Sequence, residues 1–136
     1  MSWTKEVWRE SVALALFEIG NINYQKQLWN GKIEGFQSDF DESICAFGDC
    51  GIPDYLDDFL KDKFISKEEL AQLSCLNDII DEIDEIDEYN CSEYEKLWQS
   101  SEWNNIASKA KYVFLTFFKN DFPTKRNDFV QKWPLE

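Results

Sequence analysis

At 136 residues the chain is long enough for one hydrophobic core and too short to divide comfortably into two. Its 43% apolar and 16% aromatic content exceeds what a disordered chain carries, so residues 1–136 should fold as a single domain. A formal charge of -13, from 27 acids against 14 bases, repels nucleic acid and anionic membranes and attracts basic surfaces.

The first segment, Trp3 to Ile19, carries apolar residues at helical spacing with a broad face (Trp3, Val7, Trp8, Val12, Leu14, Ala15, Leu16, Ile19), and Gly20 ends it. From Asn21 to Gln37 the pattern weakens and Asn30-Gly31 and Gly35 mark turns, which predicts a loop anchored by Leu28, Trp29, Ile33 and Phe36. Ser38 with Asp41 predicts a capped short helix through Phe47 that buries Phe40, Ile44 and Phe47. Pro53 suits the first turn of another short helix, with Asp54, Asp57 and Asp58 near its positive end and Tyr55, Leu56, Phe59 and Leu60 facing inward.

Ser66-Lys67-Glu68-Glu69 is the best start signal, a capping box with Ile65 stapled to Leu70. It predicts a long helix to about Asn90 with an inward stripe of Leu70, Leu73, Leu76, Ile80 and Ile83. Ser92 and Glu95 form a second box that starts a helix over Glu93 to Trp98, and Ser101 begins or continues the next. Tyr112 to Phe118 has the composition of a buried strand, but its spacing back to Trp103 and Ile106 favours a buried helix. Pro123-Thr124 opens a last short helix to about Lys132. The expected fold class is therefore all-α, about five to seven helices in one domain.

The opening Met1-Ser2-Trp3-Thr4-Lys5-Glu6 places charge where a signal peptide begins its apolar run. No stretch approaches the roughly 18 apolar residues of a membrane span, so the cytosol is the expected compartment. The cysteines, Cys45, Cys50, Cys75 and Cys91, include no C-x-x-C pair, and histidine is absent. Buried free thiols are the expectation, with no metal and no cofactor. The missing histidine also removes the usual general base, and no nucleophile motif or phosphate-binding glycine loop is present, so catalysis is not expected.

Charge supplies the strongest functional signal. Residues 38–62 are net -7 and residues 63–104 net -9, whereas residues 105–136 are net +3 and residues 1–37 balance. Residues 80–88 read IDE three times. Three residues turn a helix by about 300°, so each isoleucine lags the last by about 60° and the acids wind around with them. Asp78, Asp81, Glu82, Asp84, Glu85, Asp87 and Glu88 thus form like-charged pairs three and four apart near a helix C-terminus, where the dipole disfavours anions. Charge runs of this kind are usually solvated faces. They are also what a docking face for a Lys/Arg-rich surface requires, and EF-hand spacing is absent. Asp54, Asp57 and Asp58 extend the candidate surface, and Tyr94 and Trp98 are its candidate aromatic anchors.

Small size, a pI near 4.3, aromatic richness and acidic segments such as Ser38-Asp39-Phe40-Asp41-Glu42-Ser43-Ile44-Cys45 give the chain a profile that resembles the immunity proteins of bacterial contact-dependent growth inhibition systems. The resemblance implies a tight, stoichiometric inhibitor whose carboxylates face the basic, nucleic-acid-binding surface of a nuclease toxin domain. Two other classes suit the same charge: a nucleic-acid mimic that blocks a DNA-binding protein, and an intracellular adaptor or regulatory subunit.

Overall fold

The computed structural model describes residues 3–84 and 94–123, with only the backbone of Asp84 described. Every regular element among them is helical: α1 (Lys5–Ile19), α2 (Ile22–Leu28), α3 (Phe40–Asp49), α4 (Leu56–Lys61), α5 (Lys67–Asp84), α6 (Tyr94–Gln99) and α7 (Ser101–Val113). A widened π-helical turn (Phe114–Phe118) and a tight 3-10 turn (Lys119–Asp121) continue α7. The chain is all-α, so the strand alternative for Tyr112 to Phe118 is excluded.

α1 and α7 form the central pair. α2 and α3 pack on α1, α5 packs on α7, and α4 packs on α5. Gly20 allows the close approach of the pair, since a Cβ there would lie 2.8 Å from the backbone nitrogen of Lys111. Its φ of -84° shows that it closes α1 without the left-handed conformation usual for a C-terminal glycine. Trp8, Val12, Leu16 and Ile19 of the apolar face read for α1 are fully buried, but Val7, assigned to the same face, is exposed.

The predicted loop from Asn21 to Gln37 contains a helix instead. Asn21 caps α2 by accepting from the amide of Tyr24, and the face the helix buries is Tyr24, Gln25 and Leu28. A glutamine in that face hid the periodicity. Gln25 is completely buried, yet all its polar capacity is used. Its Nε2 donates to the carbonyls of Glu18 and Ile19 at 2.7 and 2.8 Å, and its Oε1 accepts from the indoles of Trp98 and Trp103 at 3.1 and 3.0 Å. One side chain thereby ties the end of α1 to α6 and α7, and no buried side-chain nitrogen or oxygen among the described residues lacks a partner.

At α3 the cap is shifted by one residue. Asp39, not Ser38, accepts from the amide of Glu42 at 2.8 Å, while the Ser38 hydroxyl donates to Glu18. α3 buries Phe40 and Phe47 as expected, with Ile44 half-buried. The Ile52–Pro53 peptide is cis and α4 begins at Leu56, three residues beyond the predicted start. The capping box of α5 is present in both halves: the Glu69 amide donates to Ser66 Oγ at 3.1 Å and the Ser66 amide to Glu69 Oε1 at 2.8 Å. Leu73, Leu76, Ile80 and Ile83 are buried along α5, and Leu70 is half-buried. Ser100 caps α7 by accepting from the amide of Trp103. The predicted run of α5 beyond Asp84, the cap at Ser92 and the last helix from Thr124 lie outside the described residues.

Burial corrects the expectation for two of the cysteines. Cys50 is buried, but Cys45 and Cys75 are exposed, each about 200° around its helix from a buried neighbour two residues away. Burial pushes the Cys50 thiol up to about 12.

Candidate partner-binding surface

The candidate carboxylates belong to the outer elements. On α5 the two isoleucines of the IDE repeat that are described, Ile80 and Ile83, are each 2% exposed, whereas Asp78, Asp81 and Glu82 face solvent. Asp81 accepts from Asn77 one turn earlier at 3.3 Å. Asp57 and Asp58 are exposed in the first turn of α4, where they meet the positive end of the helix dipole, and Asp54 is exposed just before it. The side chain of Asp84, and the whole of Glu85, Asp87 and Glu88, lie outside the described residues.

None of these six described acids has an ion-pair partner among the described residues. The ion pairs there all run through Arg9, which binds Glu69 at 2.8 Å and Asp121 at 3.2 Å. Arg9 also donates to the carbonyls of Phe64 and Phe117, and its guanidinium lies 4.5 Å from the Phe118 ring centroid. The π turn supplies both Phe117 and Phe118, so the widened backbone is part of this clamp. Burial opposes the charged form of Glu69, but the bonds from Arg9 and from Ser66 outweigh it and hold the carboxyl below its ordinary value. Glu18 has the reverse balance: burial raises it despite hydrogen bonds from Trp29 Nε1 and Ser38 Oγ at 3.0 and 2.7 Å.

Of the two aromatic anchors predicted from sequence, Trp98 needs correction. Trp98 is 6% exposed, stacks on Trp29 at 5.9 Å and donates its N–H to Gln25, so it builds the core. Tyr94 is half-buried 5.1 Å from Trp29, and its hydroxyl accepts from the amide of Phe40. Among the described residues, the exposed aromatic near the acids is Tyr55, predicted to face inward but 56% exposed. Its placement follows from α4 starting late: Tyr55 precedes the helix, while Leu56 and Phe59 enter the core. Helical spacing alone assigned all four apolar residues of this segment to one face.

Among the described residues no group of three or more Cys, Asp or Glu side chains is arranged to hold a metal ion. Within the same residues no helix is long and apolar enough to cross a membrane. No family model, curated protein or solved structure matches the chain.

Proposed function

We propose that this protein binds a basic protein partner through the carboxylates of α4 and α5, and that it acts as an immunity protein, a stoichiometric inhibitor of a toxin domain. The observation that carries the reading is the set of exposed acids Asp54, Asp57, Asp58, Asp78, Asp81 and Glu82, which have no ion-pair partner among the described residues, where every buried side-chain polar atom is satisfied. A surface of this kind accelerates encounter with a cationic protein by 10 to about 10³ fold at low salt. A toxin domain that grips nucleic acid supplies the matching positive surface.

The test begins with affinity capture from the native host, followed by calorimetry on the purified partner. The reading expects a basic domain bound one to one, its activity blocked, with affinity that falls steeply as salt rises. Reversing Asp78, Asp81 and Glu82 to lysine should weaken binding by about tenfold or more. Unchanged affinity in that triple variant would remove the α5 acids from the interface. Capture of a DNA-binding regulator in place of a toxin would establish the mimic reading.

A further inference from the structure

A cleft of about 360 Å³ opens beside α4, lined by Trp3, Tyr55, Phe59 and Phe64 and by two carboxylates, Asp58 and Asp62. That volume lies within the range of specific small-group sites. The cleft is a product of local chain geometry. Backbone bonds from Phe59 to Tyr55 at 3.0 Å and from Asp62 to Asp58 at 2.9 Å stack Tyr55, Asp58 with Phe59, and Asp62 on successive turns of one face.

The chain then reverses. The amides of Lys63 and Phe64 donate to the carbonyls of Leu60 and Phe59, the double bond pattern of a Schellman end, with Lys63 at φ 65° where glycine is usual. This reversal lays the Phe64 ring on Phe59, centroids 5.5 Å apart and planes within 20°. Gly51, at φ 81°, forms part of the lining, and a Cβ there would stand 3.0 Å from the Tyr55 ring. The site therefore has an aromatic wall, a glycine that leaves room for it, and two acids one helical turn apart with no cation paired to them among the described residues.

Aromatic faces and carboxylates share one preferred guest, an organic cation. We infer that the cleft seats the guanidinium of an arginine presented by the basic partner. A guanidinium is planar, stacks on rings and forks toward carboxylates, whereas an ammonium is a compact, strongly hydrated charge. The exposed Tyr55 ring is the kind of side chain that anchors an interface once water is excluded around it. The inference rests on the basic-partner reading and names one contact within it.

The experiment follows ring-proton resonances of Trp3 and Tyr55 while the full chain is titrated with N-acetyl-arginine N-methylamide, with the isosteric but neutral citrulline compound as control. The arginine compound should shift both rings and the citrulline compound neither. Asp58→Asn with Asp62→Asn should weaken the arginine compound by about tenfold, and Tyr55→Ala by about fivefold, with Tyr55→Phe retaining binding. An equal effect of citrulline overturns the inference. So does an equal loss from Asp41→Asn with Glu42→Gln, which removes the same charge from α3. The melting temperature of each variant checks that the fold is intact. If the purified partner binds the Asp58/Asp62 double variant as tightly as the native chain but loses the Asp78/Asp81/Glu82 reversal, the cleft is excluded and the acidic-surface reading stands. If the arginine compound occupies the cleft but no reversal affects the partner, the cleft stands and that reading fails.

Discussion

Polar groups in the interior and on the outer helices of this molecule are treated in opposite ways. Inside, Gln25 and Arg9 each reach several elements, and every donor or acceptor they offer is answered. Outside, α4 and α5 present carboxylates with no ion-pair partner among the described residues. The difference separates two uses of polarity. Groups cut off from water must be paired or they destabilise the fold, while solvated charges cost the fold little and remain free to meet another molecule.

That contrast predicts a steep gradient of mutational effects. Gln25→Leu should be the most damaging, because it orphans two buried indole N–H groups and takes a donor from the carbonyls of Glu18 and Ile19; a loss of about 4 kcal/mol in urea unfolding is expected. Arg9→Met comes next, at about 3 kcal/mol, since it leaves the largely buried Glu69 without its partner. A loss below about 1 kcal/mol in either variant would mean that the interior network contributes little and that apolar packing alone holds the fold.

Titration sharpens the same point, because the two enclosed carboxylates have opposite signs. Glu69 is lowered in the folded state, so its contribution is present above the ordinary value of 4.5 and is lost as pH falls through its lower folded pKa. Glu18 is raised, so its contribution is present below 4.5 and is lost as pH climbs through its higher folded pKa. Unfolding free energies of Glu69→Gln and Glu18→Gln measured between pH 3 and about 7 should therefore diverge from the native curve in opposite pH windows. Parallel curves would show that neither environment differs from water.

The smallest effect belongs to the surface. Neutralising Asp78, Asp81 and Glu82 together should change stability by no more than about 0.5 kcal/mol, with any change in the stabilising direction as like-charge repulsion is relieved. A large loss of stability would show that these acids belong to the fold after all.

The fold was legible wherever one local rule decided an element. The Ser66–Glu69 box, the buried stripe of α5 and the face of α1 each needed only capping chemistry and a 3.6-residue period. The reading failed where a side chain answered to a distant partner. α2 was missed because Gln25 looks like a surface residue until the two indoles that require it arrive from α6 and α7, more than 70 positions later. The cap of α3 lies on Asp39, while Ser38 donates to Glu18, 20 positions away. The candidate surface divides in the same way. The exposure of Asp54, Asp57, Asp58, Asp78, Asp81 and Glu82 agrees with their charge, but which aromatic stands beside them is a matter of packing.

By itself, then, the sequence determined the helical class and the acidity of residues 38–104, because periodicity, capping and charge are properties of neighbours along the chain. Only the tertiary structure decided that Trp98 turns inward to Gln25 while Tyr55 remains in solvent above Asp58 and Asp62. A tryptophan and a tyrosine have the same apolar claim on the core, and the buried acceptor that selects one of them is assembled from segments far apart in sequence.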